Sequence, residues 1–119
     1  MDAGRIERRC RRLGRVVVAP AVDQVTLLRS ARTLKRTHDE LSVMVMHRSR
    51  EIGRTPEIRS AEQSLLAMDR ELREVLLEYG RLGQREISGC LKEAVSKALS
   101  ALDMLRASAS VEAGSPQHV

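Results

Sequence analysis

Cys10 lies between two arginine pairs, Arg8-Arg9 and Arg11-Arg12. Neighbouring positive charge favours the thiolate, lowers a thiol pKa and raises its reactivity. The same residue is in helical register with Ile6, Leu13 and Val17, so it also reads as a small apolar side chain on a buried face. That second reading is preferred, and it holds more strongly for Cys90, which sits beside Leu91. Two widely separated cysteines do not make a disulfide framework, and they fit a reducing compartment.

Metal chemistry on helices needs His, Cys or carboxylates at i, i+3 or i+4. His38 and His47 are nine positions apart and point in different directions on a helix, and His118 stands near the end of the chain. There is no H-E-x-x-H, no P-loop, no dinucleotide fingerprint and no G-x-S-x-G elbow. The sequence therefore gives no catalytic, cofactor-binding or metal site, and the expectation is a protein that is not an enzyme. His38, next to Asp39 and Glu40, would be a pH-sensitive register element at its most interesting. Its plainer reading is a half-buried polar residue at the edge of a helix pair.

The remaining chemistry is the charge of the N-terminal arginines. Net charge is +5 overall, and six of the arginines fall within residues 1–19 against only Asp2 and Glu7. Arg8, Arg11, Arg12 and Arg15 share one side of a helix over residues 4–17, opposite Ile6, Cys10, Leu13 and Val17. They are candidate anion or phosphate contacts. Four roles suit such a segment: nucleic-acid binding, membrane or organelle targeting, secretion, and docking on an acidic partner or on the chain's own net-acidic helix over 56–79. Asp2 and Glu7 weaken the targeting reading, and the apolar stretch 16–19 is too short for a secretory signal. Docking is preferred, and nucleic acid comes second.

The elements that carry these residues are helical. With one aromatic (Tyr79) and an apolar content of mostly Leu, Ala, Val and Met, the chain suits helices better than sheets. Residues 58–79 show the clearest periodicity. Ile58, Ala61, Leu65, Met68, Leu72, Val75 and Tyr79 step alternately by three and four, the seam of a helix that packs along another at the coiled-coil angle. A second seam through Leu34, Leu41 and Val45 marks a helix over 21–52, with Val25, Leu28 and Met44 widening it; Leu66 and Leu76 widen the first. Gly53-Arg54-Thr55-Pro56 is a stop followed by an N-cap and a proline at the first helical position. Gly80 and Gly83 break the pattern, and the apolar positions resume in a new register as Ile87, Leu91, Ala94, Ala98, Leu102 and Leu105, which predicts a third helix over 84–107.

The expected fold is all-α: a long antiparallel helical hairpin plus a third helix, a short coiled-coil-like bundle, preceded by a short basic amphipathic helix. Residues 1–19 form the basic segment, 20–107 the bundle and 108–119 a disordered tail. The expected function is helix-mediated protein–protein association in the cytoplasm, as a small adaptor, chaperone or assembly subunit. Its partner would be a second copy or another helical protein, and organelle targeting through the arginine helix is the alternative location. Tyr79 and the other seam residues would carry the packing. The alternative function is a nucleic-acid-associated regulator on a dimeric body, using Arg8, Arg11, Arg12 and Arg15 together with Arg32, Lys35 and Arg36.

Overall fold

The starts of three helices are written in the side chain before each. The structure, a computed structural model, describes residues 2–114, with side chains described to residue 109. Asp2 accepts a hydrogen bond from the Gly4 N–H at 2.9 Å and caps α1, Ala3–Val17. Asp23 accepts from the Thr26 N–H at 2.8 Å and caps α2, Gln24–Ile52. Thr55 accepts from the Ile58 N–H at 3.2 Å and caps α3, Pro56–Glu78, whose first residue is the proline. Such caps satisfy N–H groups that have no partner inside the helix. The fourth helix, α4, is Gln84–Gly114. There is no strand among the described residues.

Two boundaries differ from the sequence expectation. α2 begins at Gln24 rather than near Ala21, because the Asp23 cap fixes the first turn. α4 continues to Gly114, so the tail expected from residue 108 does not begin there. Ser108 is buried, and its hydroxyl donates to the Leu105 carbonyl at 2.7 Å. Arg48 of α2 donates to the Ser108 hydroxyl and carbonyl at 3.4 and 3.3 Å. Serine reads as a loop former, yet its hydroxyl can fold back onto the helix backbone and pack inside. Residues 115–119 of the expected tail lie outside the described residues.

The link between α2 and α3 is three residues long. Gly53 has φ 81° and ψ −173°, a combination essentially confined to glycine. α3 and α4 are separated by a true break at residues 79–83, where the Arg81 and Leu82 N–H groups both bond to the Glu78 carbonyl.

The core has one stripe from each helix. α1 contributes Ile6, Cys10, Leu13 and Val17; α2 contributes Leu27, Ala31, Leu34, Leu41 and Val45. α3 contributes Ile58, Ala61, Leu65, Met68, Leu72 and Val75. α4 adds Ile87, Leu91, Leu102 and Leu105, together with the small residues Ala94, Ala98 and Ala101. Those alanines let α3 lie close, and α3 with α4 forms the most extensive helix pair. Ser64 and Ser100 hydrogen-bond across it at 3.3 Å. Burying each large aliphatic contributes about 1.5–3 kcal/mol.

The basic helix is part of this core. α1 packs chiefly on α4 and secondarily on α2, not on the acidic helix α3. Its apolar face decides the docking, and ion pairs flank it: Glu7 with Arg106 at 2.5 Å and Arg9 with Glu40 at 3.0 Å. Gly14 allows the close approach to α4, since a Cβ there would stand 3.3 Å from Val95.

Several apolar residues fall outside the stripes assigned from the pattern. Tyr79, the last seam position, is 44% exposed because α3 has ended before it. Val25 and Leu66, expected to widen the seams, point to solvent.

Candidate functional site

The two thiols are quiet. Cys10 is fully buried, and burial pushes its pKa up to about 11; the attraction of Arg9 and Arg11 opposes this without reversing it. The arginines on either side of Cys10 in sequence therefore do not activate it. Cys90 is half-buried, and its pKa is pushed up to about 12, first by burial, then by a hydrogen bond to Glu71 and the negative charge of Glu71, Glu74 and Glu86.

Glu71, Glu74 and Cys90 bring their ligating atoms within 4.8 Å of one another. The sequence did not suggest this cluster, because the glutamates are on α3 and the cysteine is on α4, and only the packing of those helices unites them. Its three donors are one short of the four-ligand shell of a structural zinc site.

The seam residues Ile58, Ala61, Leu65, Met68, Leu72 and Val75, with Leu34, Leu41 and Val45, are all buried in the chain's own core. Exposed apolar side chains lie elsewhere. An open groove of about 650 Å³ runs between α2 and α3, lined by Met46 and Leu66 with Lys35, His38, Glu62 and Asp69 among the polar residues. Met46 is 44% exposed and Leu66 61% exposed. Leu77 lies three turns beyond Leu66 on the same outward stripe of α3 and is 77% exposed. His38 is half-buried, with Nδ1 3.2 Å from Asp39, at the groove edge.

The arginine face divides into paired and unpaired members. Arg11 pairs with Glu7 at 2.9 Å, and Arg9 is held by Glu40 and Thr37. Glu7 has its pKa lowered from its ordinary value, chiefly through its hydrogen bond from Arg106 and then that from Arg11. Arg8, Arg12 and Arg15 are exposed and have no carboxylate partner among the described residues. On α2, Lys35 is drawn to Asp39 and Asp69 at 3.2 and 3.8 Å, whereas Arg29, Arg32 and Arg36 are exposed and unpaired by any described carboxylate.

No helix among the described residues is long and apolar enough to cross a membrane. Comparison of the chain with family models, with curated proteins and with solved structures returned no match.

Proposed function

We propose that the chain is a non-enzymatic, helix-mediated association protein: a small adaptor, chaperone or assembly subunit that pairs with a second copy or with another helical protein. The observation that carries this reading is the α2–α3 groove, where Met46 and Leu66 stand exposed above a buried seam. The three-residue link and the Lys35–Asp69 approach support α2 and α3 as antiparallel arms of a hairpin with coiled-coil-like packing. The internal seam packs α3 on both α4 and α2, and the association surface is the outer α2–α3 groove. An amphipathic helix laid there would cover Met46, Leu66 and Leu77. A cytoplasmic setting goes with two free thiols.

The test is sedimentation velocity of the purified chain from about 1 to 100 μM, beside Met46→Asp/Leu66→Asp. Self-association that the double variant abolishes, with the helical signal unchanged, supports pairing through the groove. A monomer across the range, followed by no uptake of any synthetic amphipathic helix, counts against the reading.

A second reading, a nucleic-acid-associated regulator, is favoured by one observation. Arg8, Arg12 and Arg15 of α1 and Arg29, Arg32 and Arg36 of α2 have no carboxylate partner among the described residues, and they lie within residues 1–36, where ten Lys and Arg face three acids.

A further inference from the structure

We propose that Arg8, Arg12 and Arg15 of α1 and Arg29, Arg32 and Arg36 of α2 form one face that docks the phosphate backbone of a nucleic-acid duplex without reading its bases. This deepens the second functional reading and rests on it.

The two rows are built alike. Within each, the arginines follow a three–four spacing, which places them on one side of a helix at about 5–6 Å intervals. A row of eight residues is about 10 Å long at 1.5 Å per residue. The α1 row is opposite the buried face of Ile6, Cys10, Leu13 and Val17, so docking of α1 on the core turns it outward.

Contacts at both ends of the pair set its register. α1 ends at Val17 and α2 begins at Gln24. Towards the other end of α1, Arg9 touches Thr37 and Glu40 at 3.2 and 3.0 Å. The helices therefore run in opposite directions, and one to two turns beyond Arg9 the residues Arg12 and Arg15 pass alongside Arg36 and Arg32. Packed helices lie about 8–10 Å apart, so the two rows form a single patch rather than two separate ones.

Nothing described on the neighbouring elements neutralises that patch. Residues 1–36 hold ten Lys and Arg against three acids, a balance of +7, while residues 37–119 sum to −2. The three acids are committed elsewhere. Asp2 and Asp23 cap helix N-termini, and Glu7 is shared by Arg11 and Arg106. Across the α1/α2 line, Glu40 is taken by Arg9 and Asp39 by Lys35. A surplus of this size with no internal partner raises the local concentration of a multiply charged anion.

The residue types narrow the anion. Guanidinium forks match phosphate oxygens in two-point contacts, which a lysine ammonium does not. By this register the patch runs from Arg8, level with about residue 40, to Arg29, roughly 16 Å at 1.5 Å per residue; a DNA duplex with one charge per about 1.7 Å of axis presents about ten phosphates over that length, enough for all six arginines. A single strand is held largely by aromatic stacking, and the one aromatic, Tyr79, is in the α3–α4 link, away from the rows. A bilayer surface would be gripped by an amphipathic helix with a free apolar face, and the α1 face is already spent on the core. The rows lie side by side on two helices packed about 8–10 Å apart, a face too broad for the roughly 12 Å major groove that admits a single helix, so it meets the phosphate backbone rather than base edges.

The experiment is fluorescence anisotropy of a labelled 20-base-pair mixed-sequence DNA duplex with the full chain, over about 20–300 mM NaCl. Parallel arms use single-stranded dT20, vesicles of phosphatidylcholine with 30% phosphatidylserine, and poly-glutamate. Six phosphate contacts give a slope of log affinity against log salt of about −5. Arg8→Ala/Arg12→Ala/Arg15→Ala and Arg29→Ala/Arg32→Ala/Arg36→Ala should each lower the slope to about −2.5 and weaken binding at 50 mM salt at least tenfold. Arg59→Ala/Arg70→Ala/Arg85→Ala, exposed arginines outside the face, should change neither. Circular dichroism confirms that each variant keeps its helices. Duplex binding unaffected by the α2 triple variant overturns the two-helix face and leaves the nucleic-acid reading standing. No duplex binding at 20 mM salt removes both. Binding to dT20, vesicles or poly-glutamate as tight as to duplex overturns the assignment of the occupant.

Discussion

Replacing Ile6 with Ala tests whether α1 is part of the fold or an arm attached to it. The Ile6 side chain is 1% exposed in the core shared with α2 and α4. The change removes three carbons, worth about 0.8 kcal/mol each in transfer from water, or roughly 2.4 kcal/mol. The cavity left behind raises the expected loss to about 3–4 kcal/mol, within the range of buried aliphatic truncations. With a urea slope near 1.5 kcal/mol/M for a chain of this size, the midpoint should fall by about 2 M. Circular dichroism at 222 nm is the right probe, since Tyr79 is the only aromatic and is outside the core. Val25→Ala, at a position 63% exposed, serves as the control and should stay within about 0.5 kcal/mol of the parent. The opposite outcome is an Ile6→Ala chain whose main transition stays in place while part of the helical signal melts early. That pattern would make α1 a separable arm, and the arginine rows would lose their common support.

Gly53→Ala should cost about 1–3 kcal/mol, because the φ of 81° is forbidding to a side chain; an unchanged urea midpoint would show that the α2–α3 link can relax. Cys10, with its pKa pushed up to about 11, should react with iodoacetamide at pH 8 at least about 100-fold more slowly in the folded chain than in urea, and equal rates would contradict its burial. Glu7 has a lowered folded pKa, so its stabilising effect is full above the usual glutamate range and is lost as pH falls through the folded value. The difference in urea midpoint between the parent and Glu7→Gln should therefore be greatest near pH 7 and close towards pH 3; a difference independent of pH would mean that its pairing with Arg106 and Arg11 contributes nothing.

Helix positions were the readable part of the sequence, where period and cap agree. Ile6, Cys10, Leu13 and Val17 admit only one face, and the opposite side is all arginine, so their burial follows from spacing alone. Thr55-Pro56 announces α3 for the same reason. Asp23-x-x-Thr26 carried an equally good cap signal that Pro20 obscured. The misplacement of Leu66 has its own cause. Leu65, Leu66, Leu76 and Leu77 surround α3 on several sides, and periodicity cannot say which of adjacent leucines will face a partner and which will face water. The site was less legible than the fold. Which arginines remain unpaired depends partly on local pairs, Glu7 with Arg11 and Asp39 with Lys35, and partly on Arg9–Glu40 and Arg106–Glu7, which only helix packing brings together. Cys10 was legible too: its register with Ile6, Leu13 and Val17 pointed to burial, and burial outweighs the local positive charge on the thiol.

The place of α4 in the bundle has a consequence for synthesis. It supplies the largest share of the interhelical surface and the bed on which α1 rests, yet it is the last of the four helices to leave the ribosome. Until it emerges, α3 has only α2 to pack on and the stripe of α1 has little to cover it. Folding of this bundle is thus expected to wait for α4, and a nascent chain halted before Gln84 would expose leucines that the folded bundle hides, leaving it open to chaperones and proteases for as long as the pause lasts.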